Sequence, residues 1–262
     1  MEPLRVISLA SMLSGIFAAG SFSCVAQTAQ PNRTPVLVEL FTAEGCSSCP
    51  PADALLAKLD HDQPFSNADI IVLGEHVDYW DNLGWRDRFS SHQYTDRQSQ
   101  YSFHMHLENG VYTPQMIVDG TDQFVGNDAS HAQRAIQHAA ESPKLNLVLS
   151  QPVVDGRKVS ASLTMTAPPA NRPQADLYAA LVDPTDTTDV RGGENSGHKL
   201  QHVGVVRTLQ RVGNLKELAS GAVAIKLNAP SDANPATMRM VVFAQQSGQG
   251  AVLGAVSSKV TP

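Results

Sequence analysis

In the first half of the chain, short apolar runs alternate with stretches whose apolar residues recur every three or four positions. These are the two periods that separate buried strands from amphipathic helices. Residues 36–41 are a run of β-formers interrupted by Glu39 and predict a buried strand. After a glycine turn, Cys49, Ala52, Leu55, Leu56 and Leu59 fall on one face of a helix that ends near Asp60. Pro50 and Pro51 fit only its first turn, where an N–H would lack an intrahelical partner. A second buried strand begins at residues 69–73, and an aromatic, turn-rich stretch from His76 to Trp85 follows. Ser90 and Gln93 have the spacing of a capping box. A second helix is therefore predicted over residues 91–108, with Tyr94, Tyr101 and Met105 inward and Asn109-Gly110 as its stop. Residues 115–118 and 121–125, joined at Asp119-Gly120, predict a hairpin. A third helix from Asp128 buries Ala132, Ala135, Ile136 and Ala139 and ends before Pro143.

From Lys144 onward the pattern changes to strands and turns. Strands are predicted at residues 145–149, 158–166, 175–182, 203–209, 222–227, 238–244 and 251–257, with Asp155-Gly156 as a further hairpin signal. Short strands at this spacing predict a β-sandwich, and a partly open barrel has the same signature. The organisation expected is an α/β domain at 36–143 and an all-β, sandwich-like accessory domain at 144–262.

Composition narrows the function classes. Of 262 residues, 42% are hydrophobic and 17% charged, which is enough apolar material for a core and too little charge for disorder. The net charge of −6 provides no basic footprint for nucleic acid or for an acidic membrane surface.

The N-terminus reads as an export signal over residues 1–26. Arg5 precedes a largely apolar stretch at 6–22, with possible cleavage sites at 24–26 or 27–29, and a polar linker runs over 27–35. The apolar stretch, broken by serines and Gly15, is short for a span of ~20 residues, so cleavage is expected over retention as an anchor. Lipid attachment at Cys24 is a second alternative, in a poor context. The expected location is periplasmic or secreted, with no stable membrane insertion after cleavage.

Export also changes the cysteine arithmetic. Of the three cysteines, loss of Cys24 with the signal leaves Cys46 and Cys49. A pair two residues apart closes too small a loop to be much of a staple, so it points to redox or metal chemistry. At a helix N-terminus, unpaired N–H groups and the helix dipole favour a thiolate and lower the thiol pKa below ~8.5. Cys46, one turn before the apolar stripe, is expected to be exposed and to attack. Cys49, heading the stripe, is expected to be shielded and to resolve.

The strand, Cys-x-x-Cys, helix, Thr-Pro, hairpin and final helix resemble the thioredoxin superfamily. The order β-α-β-α-β-β-α over 36–141 is that of its fold, and the fold class expected is an α/β thioredoxin-like domain followed by the all-β sandwich-like one. In that superfamily a cis-proline faces the disulfide and helps bind substrate backbone, and Thr113-Pro114 holds that place in order. More narrowly, Val38-Glu-Leu-Phe-Thr-x-x-Gly-Cys-Ser-Ser-Cys-Pro-Pro-Ala-Asp, Val77-Asp-Tyr-Trp-Asp-x-Leu-Gly-Trp and Val111-Tyr-Thr-Pro-Gln-Met are similar to a secreted bacterial family catalogued as domain of unknown function twelve-twenty-three. Gly193-Glu-Asn-x-Gly197 and Val205-Val206-Arg207 resemble it too. The resemblance implies fold and export and supplies no substrate.

Other residues take roles around this pair. Glu39, in the strand beside the dithiol, is a candidate acceptor for the Cys49 proton. It lies one position further from the first cysteine than the acidic residue of thioredoxins, and a structural role competes with this one. Tyr79, Trp80 and Trp85, with Thr113, are candidate substrate contacts, the tryptophans equally suited to capping the core. His76, His104 or His106 could join the sulfurs in a copper or zinc site. The Gly-rich connection from Arg191 to His198 either reaches over to the thiols or makes a turn in which Glu194 pairs with Arg207.

The function expected is an exported thiol–disulfide oxidoreductase in which Cys46, Cys49 and Pro114 are catalytic. It needs no cofactor beyond the disulfide, and its partner is a protein or small-molecule thiol or disulfide. A copper carrier using the same thiolates and a non-catalytic thioredoxin-like binding module are the alternatives.

Overall fold

The first apolar run becomes the interior of a large sheet. Strand β1 (Thr34–Thr42) turns Val36, Val38 and Leu40 toward helices α1 (Pro50–Asp62) and α3 (Ala129–Ala140), where Ala52, Leu56, Leu59, Ala132 and Ile136 meet them. Leu37 and Phe41 face the opposite side. Burial on both faces is why the run lacks the alternation of a half-exposed strand. These features belong to a computed structural model that describes residues 1, 33–169 and 173–261. Apart from Met1, the expected export segment at 1–26, Cys24 with it, lies outside the described residues, as does most of the 27–35 linker. Among the described residues no helix is long and apolar enough to cross a membrane.

The first half continues with β2 (Ala68–His76), α2 (His92–His104), β3 (Gln115–Val118) and β4 (Asp122–Val125). The second half contributes β5 (Leu147–Leu149), β6 (Val153–Asp155), β7 (Lys158–Met165), β8 (Ala175–Asp189) and β9 (Lys199–Asn214). It ends with α4 (Leu215–Ser220), β10 (Val223–Asn228), β11 (Arg239–Gln246) and β12 (Val252–Lys259). One eight-stranded sheet runs in the order β12-β11-β8-β9-β2-β1-β3-β4. Its β9–β2 and β2–β1 neighbours are parallel and the others antiparallel. A smaller sheet, β10-β7-β5 with β6 also on β7, closes a second core around Leu163, Leu177, Leu181, Met240 and Val242.

This architecture overturns the fold class expected from the sequence. The order β-α-β-α-β-β-α is present, but it is not a thioredoxin-like domain followed by an independent all-β sandwich. Four strands of the second half, β8, β9, β11 and β12, extend the sheet of the first half. Apolar period reports how deeply a strand is buried and is silent on which strand lies beside it.

The seam between the halves is made by glycine. Strand β9 meets β2 at Gly74 and Val205. Gly204 has φ +61°, and a Cβ there would stand 2.8 Å from Val72 Cγ2 and 2.9 Å from Val72 O. A Cβ on Gly74 would lie 3.0 Å from the carbonyl of Val203. Two backbones can come this close only where side chains are missing. Helix α2 straps the seam, with Tyr94 Oη donating to Val206 O at 2.8 Å and Gln93 Nε2 to Leu209 O at 2.7 Å. Its N-cap is Ser91, which accepts from the Gln93 N–H. Ser90, expected as the cap, instead donates to Asp81 and to Asp87 O.

Candidate functional site

The Cys-Ser-Ser-Cys turn sits where β1 delivers it, at the start of α1. Cys46 and Cys49 are disulfide-bonded, with Cα atoms 5.4 Å apart. Cys49 is the N-cap of α1, Pro50 follows inside the first turn, and the Cys49 N–H donates to Cys46 O at 3.2 Å. The helix-terminal placement read from the prolines is therefore present. The exposure expected of Cys46 is not. Both cysteines are 0% exposed, and the residues that face solvent are Ser47 and Ser48 between them. The stripe argument counted only contacts within α1, whereas Cys46 is packed by Phe41, Val77, Tyr101 and Ile117, with Tyr79, Trp80 and Met105 at the margin.

The aromatic residues stand around this turn. Trp80 lies across Gly45, where a Cβ would be 3.3 Å from Trp80 Cβ, and its Nε1–H donates to Thr113 Oγ1 at 2.8 Å. It thus links the cysteine turn to the Thr113–Pro114 corner. The Thr113–Pro114 peptide is cis, and Pro114 is buried, a neighbour of Gly126, which also faces Leu40 and Ala52 of the α1 side. Tyr79 Oη donates to Gln98 at 3.2 Å, and burial raises its pKa to about 12. Trp85 Nε1 donates to Glu44 Oε2 at 2.7 Å. The structure therefore sets Trp80 on the cysteine turn, ties Trp80 to Thr113, and uses the polar ends of Tyr79 and Trp85 inside the protein.

Glu39 is committed elsewhere. It is fully buried, accepting from Arg97 Nε at 2.6 Å and Tyr101 Oη at 2.5 Å, and it makes no hydrogen bond to either cysteine. Arg97 also donates to Gln245 and Gln249 at 3.1 and 3.2 Å, so this hub joins the halves. Glu75, 3.5 Å from Arg97 Nε, has no hydrogen-bond partner. Burial pushes its carboxyl well above the usual range, with Arg97 opposing and Glu39 reinforcing.

A second buried cluster was not picked out from the sequence. His76 Nδ1 donates to Asp87 Oδ2 at 2.6 Å, and the same oxygen accepts the N–H of Glu44, two residues before Cys46. Asp87 stays below the usual carboxylate range: burial would raise it, but His76 and its backbone donors prevail. The His202 ring stands edge-on to His76, 4.7 Å between centroids, and lies 3.7 Å from Glu44 and 3.9 Å from Asp53. Burial acts to lower the pKa of His202, yet these two carboxylates carry it up to about 10. His202 therefore carries its charge behind the disulfide turn at neutral pH. The signal available in the sequence was Asp53, an acid one position from Ala52 on the buried stripe of α1. His104 and His106 are exposed, apart from the buried His76. Among the described residues no group of three or more His, Cys, Asp or Glu side chains is placed to hold a metal ion.

The Gly-rich connection is the tip of the β8–β9 hairpin, and it does reach the turn. Gly192 and Gly193 lie on Gly84 and Trp85, where a Cβ on Gly192 would stand 2.4 Å from Gly84 O. Glu194 accepts from Ser47 N at 3.2 Å and Ser47 Oγ at 2.6 Å. Those bonds hold its carboxyl below the usual range. Asn195 Nδ2 donates to Glu44 O at 2.8 Å and Cys46 O at 3.0 Å. Arg207, the alternative partner for Glu194, pairs with Asp183 and Asp232.

A family model described as "Protein of unknown function (DUF1223)" matches residues 37–245. No curated protein matches the chain. The crystal structure of a protein from Agrobacterium tumefaciens is similar over 87% of this chain and 95% of its own, at 28% identity and a TM-score of 0.66. That of a domain of the outer membrane lipoprotein Omp28 from Porphyromonas gingivalis aligns over 46% of this chain and 90% of its own, at 15% identity and a TM-score of 0.28.

Proposed function

The chain belongs to the family of proteins of unknown function DUF1223, which carries no activity with it, and from the site itself we propose that this protein is an exported thiol–disulfide oxidoreductase acting through Cys46 and Cys49. The observation that carries this reading is the Cys46–Cys49 disulfide at the N-terminus of α1. A ring closed over so few residues removes little entropy from the unfolded chain, so the pair has little value as a staple. At a helix N-terminus it has value as chemistry, because the positive end of the helix dipole favours a thiolate. Export is supported by the apolar segment at 6–22 behind Arg5, and an exported protein would act in the periplasm or outside the cell.

In the reduced form, the Cys46 thiolate attacks one sulfur of a substrate disulfide. A Cys46–substrate disulfide forms and the other substrate sulfur leaves as a thiolate, which takes a proton. Cys49 then loses its proton and attacks Cys46 Sγ, so the Cys46–Cys49 bond forms and the first substrate sulfur leaves as the second thiol. Two electrons pass from the protein to the substrate. The reverse sequence oxidises a substrate dithiol, and a dithiol or disulfide partner resets the pair. Trp80 on the cysteine turn, with Thr113 bonded to it and Pro114 next in the chain, would hold the substrate chain.

Replacing Cys49 with Ser stops the reaction at its midpoint, so Cys49→Ser should accumulate a mixed disulfide on Cys46 that mass spectrometry detects and dithiothreitol releases. Cys46→Ser should abolish insulin reduction and thiol-peptide oxidation. Wild-type turnover in the Cys46→Ser protein would refute the proposal.

A further inference from the structure

Neither sulfur of the Cys46–Cys49 pair is exposed, so the exchange proposed above, on which this inference rests, needs something to move. The tip of the β8–β9 hairpin holds the cysteine turn by polar bonds from another region of the chain. It is closed at its own base, where Gly197 N donates to Val190 O at 2.8 Å and Val190 N to His198 O at 2.9 Å. It can therefore move as a unit. From it, the buried Asn195 amide donates to the carbonyls of Glu44 and Cys46, and Glu194 accepts both the N–H and the hydroxyl of Ser47.

We infer that this hairpin tip is a gate on the Cys46–Cys49 couple and that Glu194 tunes its thiol chemistry by occupying the Ser47 N–H beside the Cys46 sulfur. A thiolate at a helix N-terminus is stabilised by the free N–H groups of the first turn. With the tip closed, the Ser47 N–H, in the turn that precedes the Cys49 N-cap, is spent on a carboxylate, and that negative charge is held at the residue next to the cysteine whose sulfur must become negative. The closed tip therefore disfavours the Cys46 thiolate, and a substrate that lifts it both frees the cysteine turn to move and releases the donor. Other charged groups face the turn: Glu44 and Asp53 on its own segment, His202 from β9, and the His76–Asp87 pair. Of these charged side chains, Glu194 is the one that accepts from an N–H between the two cysteines.

The test uses purified full-length protein and no substrate. Glu194→Gln keeps the size of an exposed side chain and removes the charge. The Cys46 thiolate titration, followed by absorbance near 240 nm in the reduced protein, should move down by about half a pH unit, the scale of one charge at a helix terminus. The glutathione equilibrium of the pair should become about threefold more oxidising. Asn195→Ala removes two hydrogen bonds of the closed tip, each worth about a factor of five. Reduction of the oxidised pair by dithiothreitol should then run up to about twenty-five-fold faster than in the wild type. Unchanged titration in Glu194→Gln together with an unchanged reduction rate in Asn195→Ala would overturn the gate. Failure of the wild-type pair to pass its disulfide to a thiol peptide would count against the exchange reading alone, because the titration and the reduction rates are read without any substrate.

Discussion

Buried charge is concentrated in two places, and each has its own consequence for single residues. At the Arg97 hub, two carboxylates, Glu39 and Glu75, face one guanidinium. Glu39 holds the good hydrogen bonds, and Glu75 is left with none. Burial raises the Glu75 pKa, so the folded state prefers its neutral form. A group raised in this way stabilises fully below its unfolded value of ~4.3, and that contribution is lost as pH rises through the folded value. His202, carried up to about 10, acts in the same direction, its contribution fading between ~6.5 and about 10. Glu75→Gln fixes the neutral shape at every pH. It should melt a few degrees above wild type at pH 8 and level with it at pH 4, and a lower melting temperature at pH 8 would contradict this account. At this scale the sequence identified the cysteine pair and its helix but not the charges around it. Glu44, Asp87 and His202 come together from three separate segments, and no local spacing announces such a meeting.

Elements were read well where one period dominated. The hairpin strand β3 and the buried face of α3 agree with the sequence reading, because alternation and the three-four step are properties of a single segment. The hairpin of β8 and β9 was underestimated: its polar outer halves, past Val182 and before Val203, pair with each other rather than with the core. Those halves carry the tip that reaches the cysteines. The seam was missed as well, although Gly204 within an apolar run is the kind of residue that marks a close backbone approach. Gly204→Ala should lower stability by about 2 kcal/mol or more, since the new Cβ meets Val72 backbone at a left-handed φ. Gly197→Ala, at φ +83° with nothing within 4 Å, should lose only about 1 kcal/mol. Urea denaturation of the two variants separates a crowded seam from a merely left-handed turn, and equal losses would refute the crowding.

For the whole molecule, the consequence is mutual dependence of the halves. The described residues from 33 onward form one compact unit. Residues of the first half rely on the second for Gln245 and Gln249 at Arg97, Val206 O at Tyr94, His202 at Glu44 and Asp53, and Asn195 at the cysteine turn. A fragment of residues 33–143 should therefore lack a cooperative thermal transition, whereas full-length protein should show one followed equally by tryptophan fluorescence and circular dichroism. A two-state melt of the fragment would show that the seam is an ornament on an independent domain. The same dependence suits the proposed chemistry, since the hairpin tip bonded to the cysteine turn belongs to the half that does not carry the cysteines.

The reduction potential of the Cys46–Cys49 pair, measured by equilibration with glutathione or dithiothreitol, tests the central claim most directly. A redox-active pair should lie between about −270 and −120 mV, the span of reducing and oxidising dithiol proteins. A value below about −300 mV, where structural disulfides of secreted proteins lie, would contradict it.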